Sequence, residues 1–269
     1  MMRTQGFRKP LVASSEVSVP QMPRFANSFF TFIFFISTAG ASTVPHEQLL
    51  FVVAKDMNAS TAVLQRYEYR GGAWEKVDGS VAVNVGRNGM GWGLGTLDVP
   101  HDVQDPVKRE GDGRAPAGVF ELGPVFGDAA SLKTAMPYRQ ATVDLVCVDD
   151  SRSPAYNTVV PIGAAPAFGS FEWMCREDGL YRLGVVVRHN RDALPERGSC
   201  IFLHLERAPG SGTAGCTSMD MPALRNIILW LDPAKHPLLI QVPSQSLPAV
   251  RKLLDIPVQF PDASPRPAK

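Results

Sequence analysis

Ser199-Cys200-Ile201-Phe202-Leu203-His204 and, a few residues later, Ser211-Gly212-Thr213-Ala214-Gly215-Cys216-Thr217 form the stretch on which the reading of this chain turns. The first segment is a run of apolar residues that suits a buried strand, and it ends on an imidazole. The second is a glycine-rich loop that ends on a thiol and leads into a helix, for which Asp220 is a suitable N-cap and Pro222 suits the first turn. A strand end and a loop ahead of a helix are places where a base can be set against a thiol.

Working outward, segments rich in β-branched and aromatic residues, separated by glycine and proline clusters, recur along the chain. Residues 49–54, 62–69, 81–85, 118–122, 142–148, 184–187 and 200–205 read as strands, whereas helical periodicity is confined to 222–231 and 247–254. The expected fold is mainly β with a few late helices. No internal repeat or long linker divides residues 42–256, so one catalytic domain of ordinary size is expected there. Residues 257–269 carry four prolines and no apolar periodicity, and read as a flexible C-terminal tail.

At the other end, Arg3, Arg8, Lys9 and Arg24 precede an apolar run over 29–36, and Ala39-Gly40-Ala41 supplies small residues behind it. That order predicts a secretory signal over 1–41, cleaved after Ala41. The apolar run is much shorter than the roughly 20 residues of a membrane-spanning helix, so no transmembrane helix is expected in the mature form. An exported protein of the periplasm or cell envelope follows. The 27 basic and 26 acidic side chains leave a net charge of +1, which provides no broad field for nucleic acid.

Four cysteines lie in the exported part. With Cys216 kept as a thiol and Cys200 read as a small hydrophobe in a strand, Cys147 and Cys175 are the expected disulfide pair. The five histidines, His46, His101, His189, His204 and His236, show no metal-ligand spacing, and neither a metal nor a cofactor is expected. No Gly-x-Ser-x-Gly motif suggests a serine nucleophile.

Cysteine chemistry has a direct rationale. A thiol of ordinary pKa, about 8.5, is mostly protonated at neutral pH, so a neighbouring base or helix N-terminus must favour the anion. His204 is the expected base and Cys216 the nucleophile, with its pKa expected to be depressed. Gly212 and Gly215 allow close approach to a carbonyl. Backbone N–H groups around Gly215 and Cys216, flanked by Thr213 and Thr217, are the expected oxyanion donors.

Leu203-His204 followed by Thr213-Ala214-Gly215-Cys216 resembles the His and Ser/Thr-His-Gly-Cys signature of the L,D-transpeptidase catalytic domain, the YkuD-like fold. The stretch from Lys108 to Phe120, with Pro116-Ala117-Gly118-Val119-Phe120 at its end, looks like that family's Pro-x-Gly-x-Phe hairpin in the ErfK/YbiS/YcfS/YnhG-like exported members. Gly86-Arg87-Asn88-Gly89, Trp92-Gly93 and Phe171-Glu172-Trp173-Met174 extend the likeness. The resemblance implies a β-sandwich-like domain that acts on peptidoglycan stem peptides. The cysteine attacks a stem carbonyl, D-alanine leaves, and the thioester passes to an amine (3-3 cross-linking) or to water (carboxypeptidase trimming). A backbone carbonyl of residues 210–213 is the expected partner orienting the imidazole.

Two positions depart from the family pattern: Ala214 stands where a second histidine is usual, and Ser218 where an arginine is usual. Arg114, His189 and Lys108 are therefore the candidates for binding a substrate carboxylate. A catalytically impaired peptidoglycan-binding protein of the same fold is the alternative.

Overall fold

A computed structural model of the protein describes residues 46–164 and 167–256. The leader expected over 1–41 and the tail expected over 257–269 lie outside the described residues.

The described residues form thirteen strands and two α-helices: β1 (Gln48–Ala54), β2 (Thr61–Arg70), β3 (Ala73–Asn84), β4 (Met90–Trp92), β5 (Ala115–Gly127), β6 (Tyr138–Gln140), β7 (Leu145–Val148), β8 (Val159–Pro161), β9 (Phe171–Trp173), β10 (Leu183–Val187), β11 (Phe202–Leu205), β12 (Thr217–Met219), α1 (Met221–Trp230), β13 (Leu238–Pro243) and α2 (Leu247–Leu254). The chain is mainly β, as its residue pattern predicts. Asp220 caps α1 by accepting the Ala223 N–H at 2.7 Å, with Pro222 in the first turn.

Eight strands run β10-β11-β12-β3-β2-β1-β13-β5, and β5 pairs back onto β10, so the main sheet closes into a barrel. Closure depends on the length of β5, whose thirteen residues pair in succession with β4, β13 and β10. Pro116-Ala117-Gly118-Val119-Phe120 therefore lies inside a strand rather than at a hairpin. The Phe120 ring lies over Gly118, whose φ of +146° favours glycine. A separate sheet, β8-β7-β9, stands beside the barrel.

Alternation along β11 decides what faces what. Ile201 and Leu203 enter the main core with Val185, Met219 and Leu224, whereas Phe202 points outward into a second cluster with Phe126, Leu145, Cys147, Tyr181 and Cys216. β7 alternates likewise: Leu145 and Cys147 face that cluster, and Val146 and Val148 face a third one beneath Phe171. The second cluster thus fills the space between the barrel wall and the small sheet. Helix α1 closes the main core with Leu224, Ile227 and Ile228.

The disulfide expectation is corrected. Cys147 bonds to Cys200, while Cys175 is free and exposed just past β9. Cys200 is not a strand residue. β11 begins two positions later, and Cys200 adopts φ +54°, with its N–H held by Asn157 Oδ1 at 3.0 Å. This left-handed step takes Cys200 out of the strand pattern and into contact with β7, which no strand-based reading of the segment anticipates.

Candidate active site

Two adjacent parallel strands set the candidate nucleophile and base. β11 pairs with β12 so that His204 stands opposite Ser218 and Leu203 opposite Thr217. Cys216, one residue ahead of β12, shares the outward face of Ser218 because side chains alternate. His204 and Cys216 therefore occupy one face, diagonally across two strands. Both line a cleft of about 410 Å³ with Glu172, Arg176, Leu180, Tyr181, Arg207, Ser211, Gly212, Thr213, Ala214 and Ser218.

The imidazole is oriented by the carbonyl of its own strand neighbour. His204 Nδ1 lies 2.7 Å from Leu205 O. A carbonyl only accepts, so Nδ1 carries the proton and Nε2 is left as the basic nitrogen. This carbonyl takes the place expected of the 210–213 loop. The thiol is held at both ends: the Phe202 N–H donates to Sγ at 3.4 Å, and the S–H donates to Cys200 O at 3.5 Å. Its carbonyl partner belongs to a disulfide half-cystine, so the Cys147–Cys200 bridge fixes the floor under Cys216.

Tyr181 joins the two groups. Its ring stands edge-on to His204 with centroids 5.2 Å apart, and its hydroxyl donates to Glu172 Oε2 at 2.6 Å while lying within hydrogen-bonding reach of the thiol. Glu172 faces this cluster because it pairs across the sheet with Cys147.

The expectation of a depressed thiol pKa is overturned. Burial pushes Cys216 up to about 12, and the nearby Glu172 adds to the rise. The Phe202 N–H, the Lys108 ammonium and the Tyr181 hydroxyl act in the opposite direction without offsetting it. Burial also lowers His204 to about 4, against the Leu205 hydrogen bond. The resting pair is a neutral thiol and a neutral imidazole. Helix α1 contributes little to the thiol, because β12 intervenes and five residues of extended chain span on the order of 15 Å.

The loop residues take other roles than expected. The Gly215 N–H donates to Thr213 Oγ1 at 3.1 Å, so it is not aimed at a substrate oxyanion. The Thr213 hydroxyl in turn donates to Cys216 O at 2.6 Å, and its backbone is locked to the 85–87 segment through Val85 O and Arg87 N. Gly212 is required by close approach, since a Cβ there would stand 2.5 Å from Arg87 Cα. Thr217 points away from the cleft into the barrel, bonded to Gln241 at 2.6 Å.

None of the three expected carboxylate binders lines the cleft. Arg114 is spent on two backbone carbonyls, Met57 O at 3.2 Å and Met90 O at 2.9 Å. His189 is a buried strut: Nδ1 accepts the Leu94 N–H at 3.2 Å, Nε2–H donates to Arg197 O at 2.9 Å, and burial lowers its pKa to about 4. Lys108 is buried behind the Cys216 loop, bonded to Asp112 and Arg109 O, and acts on the thiol only through its charge. The cations at the cleft are Arg176 and Arg207, which sequence reasoning missed. No spacing marks them, since they come from two loops thirty-one positions apart that the barrel wall brings together.

The chain matches no known protein-family profile and no curated protein. Among solved structures it is similar to one described as the structure of Bdellovibrio bacteriovorus Bd1075, at 11% identity and a TM-score of 0.37, over 78% of this chain and 55% of that one. The chain thus spans about half the length of that protein. Among the described residues no helix is long and apolar enough to cross a membrane.

Proposed function

We propose that this chain is an exported cysteine acyltransferase of the L,D-transpeptidase type, acting on peptidoglycan stem peptides through Cys216 with His204 as base. The barrel is then this chain's form of that family's β-sandwich-like domain. The observation that carries the reading is the shared cleft: a thiol and an imidazole whose free Nε2 is set by the Leu205 carbonyl line one cavity. The Cys147–Cys200 disulfide supports export, because such bonds persist in oxidising compartments.

The chemistry follows from a neutral resting pair. As Sγ attacks the stem carbonyl, the S–H proton passes to His204 Nε2. The tetrahedral intermediate then expels the amine of D-alanine, which takes the proton from the imidazolium, and a thioester remains on Cys216. An incoming amine or water reverses the sequence, giving a cross-link or a trimmed stem. The raised thiol pKa keeps Cys216 unreactive until a carbonyl is bound, which suits an enzyme working in an oxidising compartment.

Incubation with a tetrapeptide stem, followed by intact mass and peptide mapping, tests the reading. A thioester adduct on Cys216 that disappears in Cys216→Ala is expected, and His204→Ala should slow its formation by about a hundredfold to ten-thousandfold. Turnover that survives Cys216→Ala would refute the nucleophile. Ala214, Ser218 and the protonated thiol favour the second reading, a wall-binding protein without catalysis, and binding of stems without adduct or product would establish it.

A further inference from the structure

The mouth of the cleft carries a charge arrangement that the thiol and imidazole do not use. Arg176 holds Asp178 in a fork, Nε to Oδ1 at 2.9 Å and NH2 to Oδ2 at 2.6 Å, and its guanidinium lies 5.0 Å from the centre of the Tyr181 ring. Arg207 reaches the same Asp178 Oδ2 from the opposite wall at 3.1 Å. Among the described residues this is the one polar contact of its side chain, which is 65% exposed. Two guanidinium groups thus share one carboxylate. Glu172 lines the same cleft, with its carboxyl turned onto Tyr181, whose hydroxyl it accepts at 2.6 Å. Glu177 lines an adjoining hollow together with Arg176 and Asp178.

The two arginines are not equivalent. Arg176 is satisfied by its fork, which is the main reason Asp178 is held down to about 2. Arg207 touches that carboxylate with one nitrogen only and has the remaining donors of a planar fork to offer. An ion pair this exposed adds little to stability, so a second carboxylate can replace Asp178 at Arg207 without loss to the fold. Arg207 belongs to the same β11–β12 connection as Cys216, and Tyr181 links Arg176 to the thiol, so a carboxylate seated there lies close to the attacked carbonyl. Ser218 cannot serve, since it is buried and bonded to Asn84.

Building on the acyltransferase reading, we propose that Arg207, backed by the Arg176–Asp178 pair, is the carboxylate-recognition residue of this cleft. It takes acidic peptides by exchanging Asp178 for a substrate carboxylate, and in the free protein the Arg207–Asp178 contact bridges the two walls of the cleft.

The test compares the stem tetrapeptide with a series in which each of its carboxylates is converted to the amide in turn, using wild type, Arg207→Gln and Arg207→Lys. One amidation should lower wild-type kcat/KM by roughly 10-fold to 100-fold, mainly through KM, as expected for loss of a charged hydrogen bond. In Arg207→Gln the acid should fall to the level of the amide with kcat little changed, and Arg207→Lys should restore part of the preference. An unchanged acid-to-amide ratio in Arg207→Gln, or no sensitivity to any amidation, overturns the assignment. Absence of turnover with every peptide would sink the acyltransferase reading instead. The same series is then read as equilibrium binding by titration calorimetry: a preference for the acid that vanishes in Arg207→Gln sustains the carboxylate site, and equal or undetectable binding of acid and amide refutes it.

Discussion

Removing the Cys147–Cys200 bridge is expected to destabilise the fold and to loosen Cys216 in the same step. The two half-cystines are 53 residues apart, and closing a loop of that length removes unfolded-chain entropy equivalent to about 4 kcal/mol at 25 °C. For a domain of this size each kcal/mol moves the melting temperature by about 2–4 °C, so the double variant Cys147→Ala/Cys200→Ala should melt roughly 8–16 °C lower. The local effect is separate from the global one. Cys200 O accepts the Cys216 S–H and the Cys200 N–H is held by Asn157, so freeing Cys200 from β7 relaxes the floor under the thiol. Maleimide labelling of Cys216 well below the melting temperature should therefore be faster in the double variant. Thermal melts with and without reductant, with peptide mapping of the bridge, check the first part, and Cys175→Ala should leave the melt unchanged because Cys175 is exposed and unbonded. A melt insensitive to reduction while mapping shows Cys147 and Cys200 both alkylated would refute the entropy argument. A mapped Cys147–Cys175 bond would refute the pairing itself.

With the Cys216 thiol raised to about 12, its alkylation by iodoacetamide in the free protein should climb about tenfold per pH unit through pH 8–11 without a plateau, and a plateau below pH 9 would contradict a neutral resting pair. His189 and His204 are each lowered to about 4, so the unfolded chain binds more protons than the fold between pH 6.5 and 4. Stability should accordingly fall as pH drops through that window, by up to about 3 kcal/mol per histidine, in denaturant titrations; a flat profile would count against their burial. Gly184→Ala would place a Cβ 2.3 Å from Phe126 Cζ, and displacing that ring, which packs on Phe202 and Tyr181, should cost about 1–3 kcal/mol by chemical denaturation.

Much of the fold was legible in the chain because local rules govern it. The apolar run of β1 is buried throughout, as befits a strand with neighbours on both sides, and α1 begins where Asp220 and Pro222 dictate, one residue from the expected start. Ring closure was not legible. It rests on β5 continuing through Gly123 and Pro124 to reach β10, residues that by themselves argue for a strand end. The disulfide was misread for a related reason: Cys200 sits among apolar neighbours but holds a left-handed backbone, so its side chain obeys a turn and not the strand that follows.

The candidate site divides along the same line. His204 and Cys216 could be picked out because they end a strand and a glycine loop twelve positions apart, and parallel pairing of β11 with β12 converts that spacing into a shared face. The environment of the pair could not be picked out, because it is made by chain remote from both. Glu172 arrives through its pairing with Cys147, and Tyr181 and Arg176 through the loop between β9 and β10. These contacts reverse the electrostatic expectation. A nearby imidazole favours a thiolate only if the ion pair remains solvated, and here burial raises the thiol and lowers the imidazole together, so the protonation state is decided by desolvation and not by proximity. In the acyltransferase reading proposed above, a bound peptide that brings a carbonyl to Sγ would change the balance, because the proton would leave as the new S–C bond forms and no isolated thiolate would have to exist.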